Sequence, residues 1–95
     1  MINKDTNFKI AKDIVISEIN DESVLLNLKT GIYFQVNELG SFIVSELKNF
    51  TNTSILQEKI TSNFDVKAEL CMQDLENFIE ILLAKDLLLI ERNEA

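Results

Sequence analysis

The hydrophobic pattern of this chain changes period once, and that change sets the order of its secondary structure. Between Ile14 and Val36 the apolar residues come in short β-branched or alternating runs, whereas from Leu39 onward they recur every three or four residues. A period of two sends successive side chains to opposite faces of a strand, and a period near 3.6 lines one face of a helix. Strands followed by helices within 95 residues predict one α+β domain with its helices packed on one sheet face.

Three strands are predicted: Ile14–Ile19 (IVISEI), Ser23–Leu28 (SVLLNL) and Ile32–Val36 (IYFQV). The clusters Asn20-Asp21-Glu22 and Lys29-Thr30-Gly31 between them are turn-formers, short enough for an antiparallel meander. Gly31 can supply a positive φ in the second turn. On the second strand Val24, Leu26 and Leu28 share one face and Leu25 and Asn27 the other. On the third, neighbours must point oppositely. Phe34 goes with Ile32 and Val36 to the core, which leaves Tyr33 and Gln35 on the open face.

Asn37 suits a helix N-cap, with Glu38 in the first turn where the helix dipole favours an acid. Leu39, Phe42, Ile43, Leu47 and Phe50 give the first helix its apolar stripe. Thr51–Ser54 is a turn that can cap a second helix, carried by Ile55, Leu56, Ile60 and Phe64. A third helix runs from about Lys67 to Lys85, with Cys71, Leu75, Phe78 and Leu82 as its core seam. Asp86–Ile90 follows as a short extended segment against the sheet. Residues 1–13 read as a flexible arm in which Phe8 and Ile10 are isolated apolar residues, 14–90 as the folded domain, and 91–95 as a frayed end. The expected architecture is a three-stranded antiparallel sheet followed by three helices.

Absences narrow the chemistry. The chain has no His, Trp or Pro, two glycines and one cysteine. Imidazole or multi-thiolate metal centres and histidine-based triads are thereby excluded. Two isolated glycines build no phosphate-cradling loop. No catalytic residue, cofactor or metal is expected. Cys71 has no intrachain partner and sits on the core seam, where it reads as a small buried hydrophobe. The net charge of −7, from 16 acidic and 9 basic residues, opposes binding to nucleic acid or anionic membranes. No apolar run is long enough to span a membrane. The N-terminus is polar with no apolar signal region behind it, so a cytoplasmic location is expected.

Two surpluses remain once a core is built. On the third helix Leu70 and Ile81 flank the seam on one side, and Met72 and Leu83 on the other. The apolar stripe then spans roughly 220°, about twice what a core-facing helix needs. The third strand is an edge strand in a sequential meander, and IYFQV carries no lysine, proline or other blocking device. An unpaired edge beside surplus apolar helix surface is a groove for an extended peptide: main-chain bonds give affinity and alternate side chains give selectivity. The same surface can also join two copies of the chain as a homodimer.

Leu25–Phe34 (LLNLKTGIYF), with Val36-Asn37-Glu38-Leu39-Gly40 after it, resembles the hairpin-into-helix stretch "LL-L-x-x-G-x-Y-Y-x-L-N-x-x-G" of the PqqD-like family. Asp65-Val66 and Asp74–Leu82 (DLENFIEIL) resemble its "DV…D-V-x-x-F-L-x-x-L" helix. Asp86-Leu87-Leu88 resembles its closing "G-L-L", with Asp86 in place of the usual glycine. The resemblance covers about Ile14 to Ile90. It implies a winged-helix-like fold that recognises the leader region of a ribosomally synthesised precursor peptide (a RiPP precursor). In that family the leader adds as a strand beside the third strand and lies against the third helix. Carried over, the strand positions are Ile32, Tyr33, Phe34 and Gln35, and the helix positions are Leu70, Asp74, Asn77 and Ile81. The implied partners are the precursor and a modifying or processing enzyme, such as a radical SAM enzyme, a cyclodehydratase, or the leader peptidase and cyclase of lasso-peptide pathways. The short chain fits the stand-alone form.

The main rival is a winged-helix nucleic-acid-binding regulator, which requires a basic recognition helix. Thr53–Phe64 carries only Lys59, and the third helix has Lys67 and Lys85 among four acidic residues. An acyl-carrier role needs a modifiable serine in an Asp-Ser-Leu context. Ser41, preceded by Gly40, does not provide one.

Overall fold

The computed structural model describes residues 3–91, apart from the side chain of Leu70. Its elements are β1 (Phe8–Ile10), β2 (Ile14–Ile19), β3 (Glu22–Asn27), β4 (Tyr33–Val36), α1 (Glu38–Glu46), α2 (Thr53–Asn63), α3 (Ala68–Ala84) and β5 (Leu88–Ile90). β2, β3 and β4 form the expected antiparallel sheet in sequential order. The turns close through positive-φ residues, Asn20 in the first and Gly31, at φ 74°, in the second. The third strand begins at Tyr33, so Ile32 precedes it and still accepts the Asn27 N–H through its carbonyl.

The helices cover the face that carries Ser23, Leu25 and Asn27, all buried, while the more apolar set of Val24 and Leu26 is only half-buried on the far face. Local hydrogen bonding makes this choice possible. The Asn27 side-chain oxygen accepts the N–H groups of Lys29 and Thr30 in its own turn, and the Ser23 hydroxyl bonds to the Ser41 hydroxyl on α1. Buried polar groups with partners cost little. Leu25 is then free to form a row with its cross-strand neighbours Ile16 and Phe34 beneath the helices. Leu28, on the outward set, is exposed.

Each helix begins or ends on a chemical signal. The Asn37 side chain accepts the Gly40 N–H at 2.9 Å to cap α1, and Asn52 does the same for Ile55 at the start of α2. At the end of α3, Leu87 N–H bonds to the Leu82 carbonyl and Asp86 N–H to the Leu83 carbonyl, a Schellman arrangement with Asp86 at φ 58°. Leu82 and Leu87 are both buried and provide its apolar contact. Gly40 lets α1 close onto β4: a Cβ there would lie 2.8 Å from Val36 Cβ and 3.4 Å from Phe78 Cζ. The core between sheet and helices holds Leu25, Val36, Ile43, Val44, Leu56, Ile60, Leu75, Ile79 and Leu82.

The chain termini differ from the sequence expectation. Within the stretch read as a flexible arm, Phe8–Ile10 is a strand, and Phe8 is fully buried. It exchanges backbone bonds with Thr51, and Ile10 N–H reaches the Leu47 carbonyl just past the end of α1. Three residues with two apolar members are too short to show a strand period. The tail also pairs elsewhere than expected: β5 joins β1 in a separate two-stranded antiparallel sheet. Because the chain leaves α1 at Leu47 to make these bonds, Phe50 falls outside the core stripe. It is exposed, with the Lys9 ammonium 5.6 Å from its ring centroid. Ile55, expected on the second stripe, is also exposed. The expectation of a frayed end at 92–95 lies outside the described residues.

Gly40→Ala is expected to destabilise the fold by about 1–3 kcal/mol, because both facing groups belong to packed elements. Asp86→Gly should stabilise it by about 0.5–1 kcal/mol by relieving the left-handed backbone at the end of α3. Chemical denaturation of the two variants against the parent checks both signs.

Candidate peptide-binding groove

Among the described residues β4 has a strand partner on one side only, β3. The ladder registers Leu25 opposite Phe34 and Ser23 opposite Val36, and continues through the bond from Asn27 N–H to the Ile32 carbonyl. Antiparallel pairs alternate between hydrogen-bonded and non-hydrogen-bonded. Phe34 and Val36 therefore turn their N–H and C=O groups toward β3, and Ile32 its C=O, while the Ile32 N–H donates to the Thr30 hydroxyl in the turn. Tyr33 and Gln35 turn theirs outward along the free edge.

α3 runs beside this edge in the opposite direction. Near the start of β4, Tyr33 and Phe34 share a hollow of about 260 Å³ with Ala84, Lys85 and Leu87 at the C-terminal end of α3. Past the end of β4, Asn37, Leu39 and Gly40 share a larger cavity, about 490 Å³, with Cys71, Asp74, Leu75 and Phe78 from the N-terminal half of α3 and with Asp65 and Val66 before it. This larger cavity is mainly apolar, with Asp65 and Asp74 among its lining residues. Burial, and secondarily the neighbouring Asp74, pushes the Cys71 thiol above its ordinary pKa and keeps it neutral.

The sequence candidates fall at different places along the groove. Ile32, Tyr33 and Phe34 border the smaller hollow. The Phe34 ring is partly buried against the core, whereas Tyr33 is 71% exposed and Ile32 66%. Ile32 thus leaves the core face to which alternation assigned it, because it lies in the turn before β4. Gln35 presents its backbone to the edge, but its side chain lies on the far face of the sheet, where its amide donates to Glu22. Asp74 borders the larger cavity. Asn77 and Ile81 line neither hollow but lie between them on one helical stripe with Asp74. Both are exposed, Ile81 by 45%. The Leu70 position continues that stripe, though its side chain lies outside the described residues.

Phe78 and Lys85 also border the groove and were not among the site candidates read from sequence. Phe78, read as pure core seam, also walls the larger cavity. Lys85 sits one further helical step beyond Ile81, and its ammonium lies 5.1 Å from the Phe34 ring centroid. The i, i+4 spacing from Ile81 to Lys85 was a legible signal. The approach of Phe34 was not, since it depends on how α3 lies against β4.

Comparison with known proteins bears on this geometry. The chain is similar to "TbiB1 in Complex with the TbiA(beta) Leader Peptide", with 32% identity over 92% of this chain and 99% of that one and a TM-score of 0.79. A second structure, "Lasso peptide synthetase B1 complexed with the leader peptide", matches at 22% identity over 86% and 96% of the two chains with a TM-score of 0.77, a likeness of fold. Comparison with curated proteins gave no match. The family model for coenzyme PQQ synthesis protein D (PqqD) matches residues 22–88, from β3 to the start of β5 and so across the whole groove. By that match, which takes in more than half of the sequence, the chain belongs to the PqqD family.

Proposed function

We propose that this protein binds the leader region of a ribosomally synthesised precursor peptide by strand addition to β4 and holds it for a modifying or processing enzyme. The observation that carries the reading is the free edge of β4 running beside the exposed stripe of α3, in a fold that matches a leader-peptide complex at 32% identity. An added strand would bond to the backbones of Tyr33 and Gln35 and place alternate side chains toward α3.

The role requires no bond making or breaking by this chain, in keeping with a sequence that has no histidine and one buried cysteine. The enzyme served is of the kind that acts on precursor peptides: a leader peptidase, a cyclase or a radical SAM enzyme. Edge pairing between two copies would use the same β4 groups and would compete with the leader. Nucleic-acid binding fits poorly: Lys59 on α2 is paired with Glu46, and Lys67 and Lys85 at the ends of α3 flank an acidic surface.

Titration with a lasso-type leader, followed by amide NMR, is expected to shift Tyr33 and Gln35 most strongly; shifts confined to other elements would rule out strand addition at β4. Gln35→Pro removes one edge N–H and is expected to weaken leader binding about tenfold while the fold is kept. Unchanged affinity in the folded variant would count against the edge. Ile81→Glu should weaken binding by about tenfold or more without loss of the helical circular dichroism signal, because Ile81 is exposed in the free protein. Unfolding of that variant would reassign Ile81 to the core.

A further inference from the structure

We infer that Lys85 is a specificity-determining residue that selects a carboxylate side chain on the bound strand, at the position facing the C-terminal end of α3. The inference rests on strand addition at β4 and adds to it the chemistry of one guest residue.

Lys85 closes α3 as its C-cap residue and is exposed. Its ammonium lies over the ring of Phe34, 5.1 Å from the centroid. A ring face attracts a cation without neutralising it, so the contact fixes the position of the charge and leaves its N–H groups available. None of the three ion pairs among the described residues involves Lys85. Asp86, its chain neighbour, borders the same hollow but lies outside ion-pair distance.

The ladder determines which guest residue meets this charge. Tyr33 and Gln35 carry the free edge groups, so on a guest strand added antiparallel to β4 the residue opposite Phe34 falls in a non-hydrogen-bonded pair. Such pairs bring side chains closest, with Cα atoms about 4.5 Å apart, and put both side chains on the same face of the sheet. The shared face here is the one turned toward α3. An Asp or Glu opposite Phe34, or two residues further toward Ile32, would therefore extend into the hollow bounded by Phe34, Lys85 and Leu87. A guest residue opposite Gln35 would point to the other face, away from the helix.

The surroundings make the preference depend on Lys85 itself. The C-terminal carbonyls of a helix and the Asp86 carboxylate both disfavour an incoming anion. Without the ammonium this end of the groove would prefer a neutral side chain. With it, an apolar guest residue would cover a charge and leave it unpaired, whereas a carboxylate would pair with it.

The test uses a randomised peptide library displayed on phage, selected on the intact wild-type protein and on Lys85→Met, which keeps the apolar stem and removes the charge. Lys85 is exposed, so the variant should fold, and circular dichroism verifies this. The wild type is expected to enrich Asp or Glu at one fixed position of the selected peptides, and the variant to show no acid preference there. Replacing that acid by its amide should weaken binding to the wild type about fivefold and leave binding to Lys85→Met unchanged. Equal acid frequency on both proteins, or an amide substitution that costs both the same, would overturn the inference. If the wild type enriches no peptide, or if the enriched peptides leave the amides of Tyr33 and Gln35 unshifted, strand addition itself fails and the role of Lys85 with it. Selected peptides that shift those amides but show no acid preference defeat the Lys85 inference alone.

Discussion

Pairing of β1 with β5 decides what the rest of this small fold can expose. The chain leaves α3 through Asp86 with an apolar tail, Leu87–Ile90, that needs a partner. A nearby open strand edge lies on β4, and occupation of that edge by the protein's own tail would have closed the groove. Instead Phe8–Ile10 takes the tail, residue for residue from Phe8 opposite Ile90 to Ile10 opposite Leu88. On its other side β1 is fastened to Thr51 and Leu47 by backbone bonds. The N-terminal segment thus satisfies the C-terminal strand and leaves β4 available to another chain.

The second constraint is the close approach of β4 and the helices. Gly40 allows α1 to sit against Val36 and Phe78, and the Schellman turn at Asp86 ends α3 where Lys85 can rest over Phe34. These contacts give the groove two unlike ends. One is a larger apolar cavity with Asp65 and Asp74 in its lining, and the other is a smaller hollow beside a cation. A groove with unlike ends can distinguish the two directions of a strand as well as its sequence, since reversing the guest would exchange the side chains presented to each end.

Much of the candidate groove's layout was legible because it follows from local rules. Alternation in IYFQV separated Tyr33 from Phe34, and helical spacing placed Asp74, Asn77 and Ile81 on one stripe. What alternation could not do was choose the buried face of β3. There the more polar set faces inward, because Asn27 and Ser23 find partners close by, in the turn after the strand and on α1. Ile32 left its expected face because the turn, not the ladder, fixes its backbone. Lys85 was visible as a helix-terminal lysine, but its setting over an aromatic ring comes from the packing of two elements about 50 residues apart in sequence, which no local pattern encodes.

By itself, the sequence determined the α+β order, the three-stranded meander, the helix cap at Asn37, a capping turn within Thr51–Ser54, and the overwide apolar stripe of α3. Each of these depends on side-chain period or on hydrogen bonds within a few residues. Tertiary structure alone decided that the two ends of the chain pair with each other, so that the tail does not take the predicted edge of β4, and that Phe34 and Lys85 meet. These features join residues far apart in the chain, and their free energy comes from which surfaces are brought together.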